Sequence, residues 1–243
     1  MVFSFDTTYK DLDASLYSRV APKSIANPDM LLLNDGLCAD LGLDTAELNA
    51  KILAGQDLLE EPIAQAYAGH QYGSFTILGD GRAVILGEHV HDGNRYDIQL
   101  KGSGRTPYSG RGDGNATVSS MLREYLYSSA MQHLNIKTSR SLAVVETDQA
   151  VERRRTEPGA ILVRVMNSHI RYGTFQYVAS QAPDELQRFT DYVIDRHYPQ
   201  LNEMDRTYVK FFDAVMQSSI EMVVDWLRVG FIHGVMNTDN MSI

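Results

Sequence analysis

The chain has 243 residues, 44% of them hydrophobic and 22% charged, with a net charge of −9. This length can bury a sizeable core, as one large domain or two small ones, and no apolar run approaches the roughly 18 residues of a membrane-spanning helix. The lone Cys38 excludes an internal disulfide, zinc-ligand spacings are absent, and MVFSFDTTYKDLD lacks the apolar core of a signal peptide, so a cytoplasmic protein with no membrane partner is expected.

The charge is uneven. Between Arg82 and Arg171 there are 13 Lys/Arg against 9 Asp/Glu, a local balance of +4, while the remainder carries −13. An acidic chain with one basic segment is a poor fit to nucleic acid. It fits a local site for a small polyanion better, although a solvated basic face accounts for the count equally well.

In chain order, residues 1–66 read as an N-terminal extension of short helices and loops, with LLLNDGLCADLGL (31–43) and TAELNAKILAG (45–55) as the helical candidates. From Tyr67 the pattern changes. SFTIL, AVILGEHV and RYDIQLKG, separated by GDGR and HDGN, predict a three-stranded antiparallel meander whose Asp-Gly turns adopt positive φ. Lys101 ends its third strand. VSSMLREYLYSSAMQHL (118–134) places Val118, Met121, Leu122, Tyr125, Leu126 and Leu134 on one helical stripe, with Glu124 on its flank. SLAVVET (141–147) and GAILVRV (159–165) predict two more strands, closed by ERRRTEPG. After about residue 170 the chain turns helical, in 184–198 and 205–230, with Gly230 as the stop. The order is α+β in two lobes: 67–180 as the β-rich lobe with a ligand site, and 181–243 as the start of a helical lobe.

Several motifs are missing or uninformative. No Gly-Lys pair completes a Walker-A loop, and neither GSGRTP nor GRGDGN completes GxGxxG. HVH (89–91) has no further ligands at metal spacing. What remains is an ordered constellation. Glycine-rich turns, GHQYGSF (69–75) and LGDGR (78–82), come first; then the strand-end Lys101, the helical Glu124, and a loop with His233, Asp239 and Asn240. Kinase-type chemistry needs these parts in this order: glycines that admit phosphates, a lysine oriented by a glutamate, an acidic proton acceptor and an amide on a metal. The middle of the intervening LKGSGRTPYSGRGDG, from Arg105 to Gly110, reads as a flexible loop.

YAGHQYGSF, LGDGRA, QLKGSGRTPYS, REYL, SHIRYGTFQY and FIHGVMNTDNMSI resemble the selenoprotein O (YdiU-type) family, from about residue 10 to the last residue. The resemblance implies a protein-kinase-like pseudokinase fold that binds ATP flipped relative to kinases. It also implies transfer of AMP to Ser, Thr or Tyr hydroxyls of proteins, with Mg²⁺ or Mn²⁺. Carried onto this chain, Gly79, Gly81 and Arg82 line the nucleotide site. Lys101 contacts phosphate with Glu124 as its ion-pair partner, and Asp113, Gly114, Arg164 and Arg171 meet the nucleotide. Asp239 accepts the proton and Asn240 holds the metal. Two turns depart from the family pattern, TILGDGR and GDGN. The family's second metal-binding Asp, most of its helical lobe and its C-terminal redox residue have no counterpart in this sequence. A fragment truncated this way would expose the apolar face of helix 205–230. A non-catalytic nucleotide-binding fragment and a phosphoryl-transferring enzyme are the alternatives.

Overall fold

A computed structural model of the chain describes residues 2–56 and 60–243. It divides into two compact units, Met1–Ala66 with Leu78–His169, and Tyr67–Ile77 with Ile170–Ile243. The elements in chain order are β1 (Tyr17–Arg19), β2 (Asp29–Leu33), α1 (Asp35–Asp40), α2 (Ala50–Leu53), β3 (Ile63–Gln71), β4 (Ser74–Gly79), β5 (Ala83–His91), β6 (Asn94–Lys101), α3 (Val118–His133), β7 (Arg140–Glu152), β8 (Thr156–Met166), α4 (Tyr172–Gln181), α5 (Leu186–His197) and α6 (Thr207–Arg228). An α+β chain with a mostly antiparallel sheet results. None of the helices in the described residues is long and apolar enough to cross a membrane.

The strands run in the order β1-β3-β5-β6-β8-β7-β2, with β4 paired to β3. Two hairpins form as the sequence predicts. Asp92 and Gly93 close β5–β6 with φ of 47° and 76°, the left-handed turn that Asp-Gly favours. Glu152 and Thr156 close β7–β8. One side of the first unit is a core of Leu37, Leu53, Leu86, Ile98, Leu100, Leu142 and Val163, all almost fully buried. A smaller cluster, Met121 with Val144, Ala160 and Leu162, packs α3 on the sheet.

The predicted meander is different in detail. β5 lies between β3 and β6, and β4 folds back on β3 instead. The cause is the character of the two turns. Tyr72 and Gly73 take positive φ (53° and 84°) and close β3–β4 tightly, whereas Asp80 and Gly81 stay at negative φ. Asp80 instead engages both backbone groups of Gln65 on β3: its N–H donates to the Gln65 carbonyl (2.9 Å), and its side-chain carboxylate accepts the Gln65 N–H (3.1 Å). The Asp-Gly pair here is a latch rather than a hairpin turn.

The N-terminal span also contributes strands where helix was expected. Leu31, Leu32 and Leu33 belong to β2, which pairs antiparallel with β7. The helix cannot start earlier because Asn34 caps it, accepting the Leu37 N–H at 3.0 Å. Asn49 caps α2 in the same way, so only Ala50–Leu53 of the second candidate is α-helical. On α3, Met121 is buried as expected, but Leu126 and Leu134 are exposed.

Within the second unit, Phe175 stacks edge-on against Phe189 (4.8 Å between centroids), and Val178, Val193, Ile194 and Phe211 are buried. α6 buries Phe211 and Trp226 but leaves Phe212, Met216, Ile220 and Leu227 at the surface. These four recur at helical spacing along one face.

Candidate functional site

In the first unit the site grows out of strand register. Gln99 and Lys101 are two apart on β6 and therefore share a face. Arg164 on β8 lies directly across from Gln99, so its guanidinium reaches the same face. α3 covers that face, started by a capping box in which Thr117 and Ser120 exchange hydrogen bonds. Its Glu124 is thereby held between two cations. Lys101 Nζ donates to Glu124 Oε2 at 2.6 Å, Arg164 Nε donates to Glu124 Oε1 at 2.5 Å, and Arg164 Nη1 donates to Gln99 Oε1 at 3.2 Å.

The three side chains are only 16–23% exposed, so their charges interact strongly. Burial, reinforced by Arg164, brings the Lys101 ammonium down to about 8 despite its carboxylate partner. Burial alone would push Glu124 up, but Arg164 and Lys101 together hold its carboxyl at about 2. The two shifts are consistent: one carboxylate serves two cations, so Lys101 is only half compensated. Two positive groups against one negative leave an excess positive charge, the requirement for holding phosphate.

The other expected nucleotide residues in this unit have their own geometry. Gly79 and Gly81 are packed under the 105–110 segment. A Cβ on Gly79 would lie 2.6 Å from Tyr108 Cδ1, and one on Gly81 would lie 2.9 Å from the Tyr108 carbonyl. Thr106 Oγ1 donates to the Asp80 carbonyl (2.7 Å), Ser109 Oγ to the Gly81 carbonyl (2.5 Å), and the Tyr108 hydroxyl meets Ser18 Oγ at 3.1 Å. The segment expected to be a flexible loop is therefore pinned to the LGDGR turn at three consecutive carbonyl or ring contacts. Arg82 is exposed, and its carbonyl accepts the Gly102 N–H at 2.7 Å.

Asp113 accepts both Arg153 guanidinium nitrogens (2.8 and 3.0 Å) and the Asn115 N–H (3.1 Å). The Arg153 hydrogen bonds lower its carboxyl to about 2. Gly114 takes φ +73° with its backbone pressed against Gly104. His89, from the HVH motif, is a core residue: Nδ1 accepts the Ser4 N–H at 3.0 Å and Nε2 faces the Leu41 carbonyl at 2.9 Å. Burial lowers its pKa, as expected for a neutral ring.

In the second unit, the turn Thr238–Asn240 carries the other expected residues. Arg171, at the start of α4, donates from Nη1 to the Asp239 carbonyl (2.6 Å) and stacks its guanidinium over the Tyr67 ring, 4.3 Å from the centroid. Asp239 is 8% exposed, and its Oδ1 is buried without a hydrogen-bond partner. Asn240 is exposed and donates from Nδ2 to the Val235 carbonyl (3.3 Å). His233 stacks on Trp226 at 5.2 Å. The described residues contain no group of three or more His, Cys, Asp or Glu arranged to hold a metal. The donors present are oxygens, the Asp239 carboxylate and the Asn240 side-chain carbonyl. They suit Mg²⁺ or Mn²⁺, which take one or two carboxylates and complete their shell with phosphate oxygens and water.

Sequence reasoning paired Lys101 with Glu124 but missed Arg164 as the second cation on the same carboxylate. Strand alternation across β6 and β8 was the available signal. It also missed Tyr108, Arg153 and Tyr67, whose contacts join segments far apart in the chain and leave no local pattern.

The sequence model of the family described as protein adenylyltransferase SelO matches residues 1–243. Similar proteins include the protein nucleotidyltransferase YdiU of Alcanivorax borkumensis, 53% identical over 99% of this chain and 51% of the relative. Those of Halalkalibacterium halodurans (50% identical, 99% and 51% covered) and Nitrosococcus oceani (49%, 98% and 50%) are comparable. The chain spans about half the length of these curated relatives. With the family model matching residues 1–243, the whole of this chain, the chain belongs to the SelO family.

Proposed function

We propose that the full-length protein is an ATP-dependent protein adenylyltransferase of kinase-like pseudokinase fold, acting in the cytoplasm on Ser, Thr or Tyr hydroxyls of other proteins. The observation that carries this reading is the Lys101–Glu124–Arg164 cluster, a partly buried site with net positive charge on rigid strand and helix. Lys101 and Arg164 neutralise phosphate oxygens of ATP, and Glu124 fixes both cations so that little reorganisation is needed when charge develops. Arg171 is the second guanidinium assigned to the nucleotide. Arg82 lines the nucleotide, and Gly79, Gly81 and Gly114 act one layer below, letting the 104–109 segment pack against their turns. Asp113 contributes by shaping the 113–115 turn, since direct contact would require it to leave Arg153.

The substrate hydroxyl oxygen attacks the α-phosphorus of ATP. The bond from that phosphorus to the bridging oxygen breaks, pyrophosphate leaves, and the hydroxyl proton passes to the Asp239 carboxylate. Asn240, with phosphate oxygens, would hold Mg²⁺ or Mn²⁺, which supplies charge neutralisation when bound. The AMP-transfer reading is tested in the full-length protein with ATP labelled at either the α or the γ position. Label from the α position should reach protein and label from the γ position should not. Asp239→Ala should lower the transfer rate about 10²–10⁴-fold, the contribution of a positioned base, and transfer at the full rate would remove Asp239 from that role.

A second reading concerns the chain of 243 residues by itself: a nucleotide-binding fragment without catalysis. The exposed Phe212, Met216, Ile220 and Leu227 of α6 favour it, because an apolar face of this kind needs a cover that the other half of the relatives' length would supply. Metal-dependent AMP transfer by residues 1–243 alone would overturn it.

A further inference from the structure

Four successive residues of β3 touch the start of α4 or the turn that carries Asp239, all within the second unit. The Tyr67 ring lies under the Arg171 guanidinium. The Ala68 carbonyl packs against Gly173, so closely that any Cβ there would collide with it. Gly69 lies against the Asp239 side chain, where an added Cβ would fall 2.6 Å from Asp239 Cγ and 2.7 Å from its Cβ. The His70 carbonyl accepts a hydrogen bond from Asn237 Nδ2 at 2.8 Å.

We infer that the β3–β4 hairpin is a strap latched over the Asp239 carboxylate by Asn237, and that Asp239 meets a substrate only when this latch opens. A carboxylate serving as base must come within hydrogen-bond reach of a hydroxyl. Here its Oδ1 is buried without a partner and a strand backbone covers the carboxyl. An unsatisfied buried oxygen disfavours the closed arrangement, and the Asn237 amide-to-carbonyl bond, with the Tyr67–Arg171 stacking, favours it. Gly69 is glycine because the strap seats directly on the carboxyl group. The apex beyond it, Tyr72 and Gly73, has a fully exposed tyrosine and open space around the glycine, leaving the tip free to swing. The strap itself does not depend on the proposed AMP transfer; only its consequence for catalysis rests on that reading.

The test needs no activity. The full-length protein is treated with a water-soluble carbodiimide and an amine, and labelling of each carboxyl is followed by mass spectrometry. In the wild type, Asp239 should label slowly. Asn237→Ala should speed its labelling about tenfold, while the buried Asp80 and Asp97 of the first unit stay protected and an unchanged far-ultraviolet circular dichroism spectrum reports that the helices of the second unit stay folded. Gly69→Ala, which drives a methyl group into the closed strap, should act in the same direction. Wild-type Asp239 labelling as fast as exposed carboxylates, or an unchanged rate in both variants, would overturn the latch. If AMP transfer is then assayed, Asn237→Ala should raise kcat with KM for ATP unchanged. A faster label without faster transfer leaves the strap standing and removes its catalytic consequence.

Discussion

The Lys101–Glu124–Arg164 cluster and the Thr238–Asn240 turn hold the two kinds of residue that the proposed chemistry needs, and they are built in opposite ways. The first rests on two strands and a capped helix, and each of its charged groups has a partner. The second is a single 3-10 turn whose carboxylate keeps a buried oxygen without one. Rigid elements can hold like charges side by side because packing, rather than the charges, fixes their positions. A turn is held by a few individual hydrogen bonds, and these can be exchanged for contacts to a ligand. Under the proposed function, the first part is set before ligand arrives and the second is the part that moves.

Breaking the first region should produce the largest effect. Glu124→Ala leaves Lys101 and Arg164 facing each other with no counter-charge. It should cost about 2–3 kcal/mol in urea unfolding, below the ~3–5 kcal/mol of a fully buried pair because the cluster is partly exposed. ATP affinity, read by calorimetry, should fall at least about tenfold, since the cations lose their orientation. Unchanged affinity would mean that the phosphates sit elsewhere.

A smaller effect comes from pH. The Lys101 pKa of about 8 means that its positive charge begins to disappear just above neutrality. ATP affinity of the unliganded protein should therefore weaken several-fold between pH 7 and 9, and Lys101→Arg, which stays charged, should flatten that profile. On the acid side the sign is opposite. The Glu124 carboxyl is depressed from 4.5 to about 2, so its contribution to stability is complete above 4.5 and is lost as pH falls toward 2. A thermal-melt series from pH 6 to 2.5 checks it against the Glu124→Gln variant, which should lack that component.

The smallest effect belongs to the second region. Tyr67→Leu removes the ring under Arg171 but keeps the apolar bulk. It should cost about 1 kcal/mol in unfolding, the scale of one partly exposed cation–π contact. A loss as large as that of Glu124→Ala would mean that the turn is as rigidly built as the cluster, and the contrast between them would fail.

Much of this was legible in the sequence wherever the signal is local. Asp92-Gly93 carries its own turn conformation, and the hairpin it closes was predicted. The 118–134 helix shows its apolar spacing, and Lys101 and Glu124 stand at the ends of recognisable elements. The same local logic failed at Asp80-Gly81, where an identical dipeptide is recruited by Gln65 of another strand and takes the ordinary φ. It failed again at Leu31–Leu33, where pairing with β7 outweighs the helical periodicity, and at Arg105–Gly110, where glycine and proline suggested freedom but Thr106, Tyr108 and Ser109 are fastened to the preceding turn.

The sequence by itself determined the α+β order and, by order and spacing, the candidates Lys101, Glu124, Asp239 and Asn240, while Arg164 and Arg171 entered through the family resemblance. The element order and the spaced candidates follow from periodicity and motif, which depend on neighbours a few residues away. Tertiary structure alone decided that Arg164 shares the Glu124 carboxylate, that Tyr108 fills the space over Gly79, and that Gly69 lies against Asp239. Those contacts join residues 29 to 170 positions apart in the chain. Only register and close packing select such pairs, and neither is written in any short stretch of sequence.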